Sequence, residues 1–504
     1  LAGLLLAAAY AVFSGWGVPA QRTVCMLAVV TVLQVSGLRW PWYWVLGLAA
    51  LAVMLMDPWS VLQVGFWLSF VAVGALLLSS RARTITVPDS LPLVRGAILG
   101  RAMRALGDLM REQAVITAVL TPLGVLFFGQ LSVVGLLANL LAIPWITLVV
   151  TPLAILGMLV PGLWMLAQAL LEPLLQMLDA MASWPWARVH TARPPLWLAL
   201  PAVLGGLWLV WPGAARLRWL GLALVWPALW WQAPRPAVGA FEVWMADVGQ
   251  GTAVLVRTAG HTLLYDSGPR YSPEADAGHR VLMPLLQSLG DRLDAVVLSH
   301  SDTDHIGGAL SVQALARPVR WWSSMPADHP LWTELDRLQP LTLHTCQAGQ
   351  AWLWDEVQFE FLHPAGPAAG KSTPNSQSCV LRVQARQGAA LLPGDIEAAQ
   401  EKALLSQGLA PVDLLLVPHH GSRTSSLEPF LRQLQPRWSV VQAGYRNRFG
   451  HPAVSVRERY KALDLPLVET ARCGSAYWHS ERPQQLDCQR EQQRRYWHHP
   501  VRGP

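Results

Sequence analysis

Charged side chains are scarce in this chain: Asp, Glu, Lys and Arg make up 14% of its 504 residues. An ordinary soluble domain carries roughly a quarter. With 53% hydrophobic residues and a mean hydropathy of +0.31, the shortage argues against a wholly soluble protein and for a membrane one. The five cysteines, Cys25, Cys346, Cys379, Cys473 and Cys488, show no CxxC spacing. That excludes a zinc ribbon and a dithiol redox motif. Cys473 and Cys488 could pair if their domain lies outside the cytoplasm. There is no repeat of fixed period. The chain opens on Leu1 inside an apolar run, with no charged leader or cleavage site, so it reads as a piece of a longer protein rather than one headed by a signal peptide. Histidine is nearly missing from the first half: thirteen of the fourteen follow residue 240, the exception being His190.

Tryptophan, by contrast, is abundant at 26 residues, and indoles favour the bilayer interface. The net charge of +6 suits an anionic partner. The length calls for at least two domains. Polarity shifts near residue 235, where Gln232 to Val238 reads as a Pro-containing linker. Before it, apolar runs cover roughly 1–13, 23–37, 43–56, 60–78, 113–129, 131–159, 161–182, 195–211 and 218–231. A spanning helix needs about 20 apolar residues. Shorter or Pro/Gly-interrupted runs are therefore expected to be broken or re-entrant. The run 161–182, with Gln168, Glu172, Gln176 and Asp179, reads either as a span facing a bundle interior or as a surface helix. Asn139, Gln21 and Arg22 sit in or beside apolar runs. An arginine there marks a functional site or snorkels to the interface.

Arginines set an expected orientation. The loop 79–112 carries Arg81, Arg83, Arg95, Arg101, Arg104 and Arg111, and Arg216 and Arg218 precede the last run. Both stretches read as cytoplasmic, which sends the second half to the periplasmic or outer side. Arg188 and Arg193 would then also fall outside.

The second half alternates strand-like stretches (241–243, 253–257, 262–265, 295–298, 359–362, 378–383, 389–392, 414–417) with helical ones (279–289, 396–407, 427–434). Such mixing predicts a layered α/β domain. Its sharpest feature follows the strand Ala295–Leu298: His300, Asp302, Asp304 and His305 fall within six residues, ahead of Gly307 and Gly308. Imidazole and carboxylate together suit zinc, manganese or iron. In an extended stretch His300 and Asp302 point the same way, while Asp304 and His305 sit at a turn, in reach of a second ion. Two more strands end in matching groups, Gly394-Asp395 and His419-His420-Gly421-Ser422. One of the paired histidines would ligate and the other orient or donate a proton; the sequence leaves open which.

Asp247-Val248-Gly249-Gln250-Gly251, Asp266-Ser267-Gly268, the H-x-D-x-D-H run at 300–305, Gly394-Asp395 and His419-His420-Gly421-Ser422 stand in the order seen in the metallo-β-lactamase superfamily, and the variant is similar to the extracytoplasmic domain of ComEC proteins. In the first half, Pro19-Ala20-Gln21-Arg22, Gly65-Phe66-Trp67-Leu68-Ser69-Phe70 and Phe128-Gly129-Gln130-Leu131-Ser132, with Asn139 and Pro144, resemble the competence domain of that family. The resemblance implies a polytopic α-helical membrane domain over 1–235, an αββα metallo-β-lactamase-like hydrolase domain over 236–485 and a basic, flexible tail over 486–504. It implies metal ligands among His300, Asp302, Asp304, His305, Asp395, His419 and His420, holding two divalent ions, manganese or zinc. Catalytic roles would fall to Asp302, Asp304, His420 and His451, and phosphate or DNA contacts to Asn375, Ser422, Arg446 and Arg448. His451 could instead be a turn residue packed beside Pro452. The superfamily has His where this chain has Asp302, and a separate third histidine is absent, with Asn375, Ser376 and Ser378 near its place. More carboxylate favours harder ions such as manganese.

The implied activity is DNA uptake: single-stranded DNA crosses the inner membrane while a metal-dependent nuclease degrades the other strand. Implied partners are single-stranded DNA, the bilayer and the receptor and translocation proteins of the competence machinery, with room for an oligomer. The competing readings are a channel whose soluble domain is a non-catalytic gate, and a membrane-anchored hydrolase of another phosphodiester.

Overall fold

The computed structural model describes residues 1–80, 95–184, 186–211, 216–366 and 372–495. Arg81 and Arg83, and residues 496–504 of the basic tail, lie outside the described residues. The chain divides into two compact units, Leu1–Ala233 and Pro234–Pro504.

Unit one is helical. Three helical stretches among its described residues are long and apolar enough to cross a membrane: Val18–Val35, Ala105–Phe128 and Gly135–Leu156. Five shorter apolar helices accompany them, Ala2–Phe13, Trp42–Met56, Val64–Ser79, Leu196–Leu209 and Leu220–Leu229. The structure differs from the sequence reading in two places. The arginine-rich stretch is not all loop, because one helix runs Arg95–Phe128. Its Ala, Leu, Met and Arg residues are strong helix formers, so helix extends well ahead of the apolar run. The run expected at 131–159 opens instead on a short strand, Gln130–Ser132, paired antiparallel with Arg188–His190. Helix Gly135–Trp145 then contains Pro144 and continues through a π-helical turn, Ile146–Val150. Proline removes one helical donor and disturbs the ladder there.

Two close approaches stand out in this unit. Arg22 is buried; its Nη2 donates to Gln63 Oε1, and Gln63 Nε2 donates to Asp57 Oδ2 at 3.1 Å. Arg22 is thus packed inside the helical unit against Gln63. Glycine at 65 makes room, since a Cβ there would lie 2.7 Å from Arg22 Nη1. Helices Leu196–Leu209 and Leu220–Leu229 cross where a Cβ on Gly221 would meet Gly205 O at 2.5 Å.

Unit two is built from two sheets. The eight-stranded sheet runs in the order Thr342–Thr345, Arg320–Ser323, Ala295–Leu298, Thr262–Tyr265, Val254–Arg257, Glu242–Met245, Ala476–His479, Leu486–Cys488. The seven-stranded sheet runs Ala351–Trp354, Val357–His363, Val380–Gln384, Ala389–Leu392, Leu414–Leu416, Trp438–Val441, Leu467–Glu469. Each has a parallel block beside an antiparallel one. Alternate residues explain the layers. Leu263, Tyr265, Ala295 and Val297 pack against Leu381, Leu392, Leu414 and Leu416 between the sheets. Their neighbours Leu264, Val296 and Leu298 face outward under helices Met283–Leu289, Ala309–Ala316 and Pro330–Leu338. Leu391 and Leu415 do the same under Ala398–Ser406, Glu428–Leu434 and Val454–Ala462. Strands covered on both faces read as unbroken apolar runs, which is why these ones were visible in the sequence. The result is an αββα sandwich. Arg235, in the linker stretch, bonds Thr258 O at 3.1 Å and Asp291 Oδ1 at 2.8 Å within this unit.

Cys473 pairs with Cys488, and Cys346 with Cys379, the second pair having no signature in spacing. Cys25 is the remaining thiol. Alkylation before reduction, read by peptide mass spectrometry on membrane-extracted protein, is expected to label Cys25 alone; label on the other four would contradict the pairing.

Candidate metal centre

Most residues of the site stand just past the carboxyl end of a strand. Thr262–Tyr265 delivers Asp266, Ala295–Leu298 delivers Ser299 and His300, Ala389–Leu392 delivers Asp395, and Leu414–Leu416 delivers His419 and His420. Both parallel blocks end at the same edge of the sandwich, the usual place for ligands in such sheets. Asp304 and His305 lie on the helical turn Thr303–Ile306. That turn presses onto the backbone beside Asp266. A Cβ on Gly307 would sit 2.2 Å from Arg270 N, and one on Gly308 2.3 Å from Ser267 O, so only glycine allows the approach.

Two ligand clusters result, His300–His305–Asp395 and Asp304–His305–His420, with donor atoms within 4.8 Å of one another in each. His305 Nε2 is 3.2 Å from Asp395 Oδ1 and 3.3 Å from His420 Nε2. His420 Nε2 is 3.3 Å from Asp304 Oδ2 and 3.5 Å from Asp395 Oδ2. Asp395 thus lies between the clusters.

Hydrogen bonds behind the ligands fix how the rings point. Asp266 is fully buried; it accepts from Ser299 Oγ at 2.8 Å and lies 2.7 Å from His305 Nδ1. Ser299 Oγ is in turn 2.9 Å from His300 Nδ1. His420 Nδ1 meets Gln442 O at 2.8 Å. With each Nδ1 engaged away from the centre, the Nε2 atoms face it. His300 Nε2 is a buried ring nitrogen without a hydrogen-bond partner. An orphaned lone pair among imidazoles and carboxylates is a donor set that fits a divalent cation.

Electrostatics agree. Burial would raise the Asp395 carboxyl, but the neighbouring His305 and His420 outweigh it and hold it well below the usual range. Asp304 is likewise brought down to about 2: burial opposes the shift, and the His420 hydrogen bond and the nearby His305 and His420 charges win. Burial works against charge on His305 and His420 too, yet Asp395 chiefly, with Asp266 and Asp304, pushes both upward. The site attracts positive charge.

The remaining sequence-expected residues surround this core. Asp302 is at the rim, its side chain 45% exposed, with Oδ2 3.5 Å from His300 Nε2; it stands outside both clusters. His419 also stands outside them. Its Nε2 is 3.8 Å from Asp395 Oδ2 and 3.4 Å from Asn375 Nδ2, and its Nδ1 is 3.4 Å from Glu397 Oε1. His420 is therefore the inward member of the pair. Ser422 Oγ bonds Thr424 Oγ1 at 3.1 Å. Ser378 Oγ, near the place of the absent histidine, accepts from Asp395 N at 3.2 Å and lies 3.4 Å from His300 Nδ1. His451 stands beside both paired histidines, with ring centroids 6.0 and 6.4 Å away. Burial, then His420 and His419, push it down to about 4, so it is neutral at pH 7. Arg446 and Arg448 are exposed on the same loop. Sequence reasoning missed the roles of Ser299, Glu397 and Gln442, and quoted Asp266 only as part of a motif. Its position right after a strand, like that of Asp395, was the available signal.

Asp266→Asn is expected to weaken manganese or zinc binding roughly 10- to 100-fold, His420→Ala more, and His419→Ala less than either. Competition titration of the full chain with a metal indicator checks the order; equal losses for His419→Ala and His420→Ala would contradict it.

Comparison with known proteins follows this division of the chain. Residues 1–216 match the competence protein family model and residues 246–444 the metallo-β-lactamase superfamily model. An uncharacterized protein, YcaI, of Escherichia coli (strain K12) is 32% identical over 94% of this chain and 61% of its own length. Competence protein ComA of Neisseria gonorrhoeae is 34% identical over 94% of this chain and 64% of its own. The chain thus spans somewhat under two thirds of these relatives. Among solved structures, the metallo-β-lactamase fold protein YhfI from Bacillus subtilis covers 48% of this chain and 99% of that chain, at 16% identity and a TM-score of 0.34. A competence domain of apolar helices followed by a metallo-β-lactamase domain with a His/Asp cluster is the arrangement in which this chain is similar to the competence protein family of ComEC, ComA and Rec2.

Proposed function

We propose that this protein takes up DNA, passing single-stranded DNA through its membrane unit at the inner membrane while its second unit, a metal-dependent nuclease, degrades the strand that is not transported. The convergence of Asp395 with His300, His305, Asp304 and His420 at one sandwich edge carries the reading. Those five residues would hold two divalent ions, manganese or zinc. When bound, the ions supply Lewis acidity toward a phosphoryl oxygen and a nucleophile at neutral pH. The chain's own groups do the rest. Asp302, at the rim beside His300, orients the attacking water and accepts its proton. His419, between Glu397 and Asn375, hands a proton to the leaving oxygen. Neutral His451 accepts a hydrogen bond from the substrate side. Asn375, Ser422, Arg446 and Arg448 ring the mouth and receive phosphate oxygens by charge-assisted or neutral bonds.

Two disulfides in the second unit favour an oxidising compartment, consistent with a periplasmic or extracytoplasmic placement. The arginine asymmetry of the first unit points the same way. The bilayer and the DNA-receptor and translocation proteins of the competence machinery complete the expected partners.

The whole 504-residue chain in detergent, loaded with manganese, is expected to cut a labelled single-stranded oligonucleotide and to stop when EDTA is added. Asp302→Asn is expected to lower kcat roughly 10²- to 10⁴-fold while bound metal, counted by mass spectrometry, holds. A folded protein that keeps its metal yet leaves DNA whole would defeat the nuclease assignment.

A further inference from the structure

The loop from Gly444 to His451 alternates rings and cations: Gly444-Tyr445-Arg446-Asn447-Arg448-Phe449-Gly450-His451. It leaves the end of strand Trp438–Val441 and crosses the mouth of the metal centre. Phe449 is 52% exposed and Tyr445 62%. Both rings stand exposed on the polar rim of the site. Phe449 is nevertheless fixed. Its ring stacks on His451 at 5.6 Å and 21°, and His451 stacks on buried His420 at 6.4 Å and 22°. Three near-parallel rings thus run from solvent to a ligand of the centre. Arg448 Cζ lies 4.7 Å from the centroid of Phe449, and Arg446 Cζ 5.3 Å from that of Tyr445.

The loop is held in this shape before any ligand arrives. Asn447 Nδ2 donates to Gly444 O at 3.0 Å and His451 O at 2.6 Å, and its Oδ1 accepts from His451 N at 2.9 Å. Gln250 Oε1 accepts from Gly444 N at 3.3 Å. At the far end, Ala453 N donates to Gly421 O at 2.8 Å, which ties the loop to the turn carrying His419 and His420. Pre-ordering of this kind lowers what binding must spend on ordering.

We propose that residues 445–449 are a base-stacking grip that makes the centre selective for single-stranded nucleic acid, with Phe449 and Tyr445 taking nucleobases and Arg446 and Arg448 the flanking phosphates. This rests on the nuclease reading for its substrate and adds the specificity-determining residues. Rings and guanidinium planes both stack on bases, and cations track the backbone. Bases inside a duplex offer no free face, so a duplex gains only the phosphate contacts. A phosphodiester without planar groups, such as a lipid headgroup, gains no more than the duplex does.

The test uses the full chain in detergent with manganese, and two oligonucleotides of about twelve nucleotides. One carries bases throughout; the other is abasic around the cleavage position. The unaltered protein is expected to show the lower KM on the base-bearing strand. Phe449→Ala shrinks that preference roughly fivefold to hundredfold, and Phe449→Trp keeps it. A second arm needs no metal: a strand with 5-iodouracil, irradiated on EDTA-treated protein, is expected to crosslink within 444–451 on peptide mapping. If Phe449→Ala raises KM equally on both strands, or the crosslinks avoid 444–451, the grip is overturned. Crosslinks at the loop without cleavage of either strand would support the grip and sink the nuclease reading instead.

Discussion

Three carboxylates, Asp266, Asp304 and Asp395, are crowded with three imidazoles at the carboxyl ends of two facing sheets, and among the described residues no Lys or Arg pairs with any of them. Burying charge without a partner is strongly unfavourable. The fold around this edge is arranged to bear it. Asp266 is satisfied by Ser299 and His305, and through them it aligns the rings of both His300 and His305. Gly394, at φ +61, turns the chain so that Asp395 enters from the opposite sheet, where any Cβ would press on Ser299, Ser378 and Tyr265. The centre is therefore built from both halves of the sandwich, and a cation is what its charge balance calls for.

The same constraint accounts for the strained turn at the end of strand Leu414–Leu416. His419 and His420 both adopt left-handed backbone, φ 50° and 54°, which side-chain-bearing residues avoid. Strain of this sort persists only where surrounding contacts over-determine it. Here the bond from His420 Nδ1 to Gln442 O and the packing of Pro452 on Gly421 do so. The turn aims His420 at the ligands and His419 at the rim. In the first unit a related problem is handled differently: buried Arg22 is met by Gln63, which itself leans on Asp57.

How much of this could be read beforehand follows from what each element is buried against. Strands covered on both faces, such as Thr262–Tyr265 and Ala295–Leu298, are continuous apolar runs, and their ends carried the metal motif. Arg320–Ser323, Thr342–Thr345 and Leu486–Cys488 went unread because they sit toward sheet edges and mix polar with apolar residues. The pairing of Cys346 with Cys379 joins the two sheets, a contact that no local spacing encodes. The inward turn of His420 and the rimward turn of His419 depend on the backbone sign at two successive residues, which tertiary contacts set. Asp302 lies close to His300, as the alternation suggested, with its side chain at the rim and outside the two tight clusters, a placement set by tertiary exposure that the motif does not encode.

The central claim is that these strand ends would hold a pair of divalent cations, with Asp395 among the residues that hold them. Low-temperature electron paramagnetic resonance of the manganese-loaded full chain addresses it directly. The account predicts a spin-coupled dimanganese spectrum that disappears in Asp395→Ala; the six-line pattern of isolated manganese at full loading, unchanged by that substitution, would contradict it.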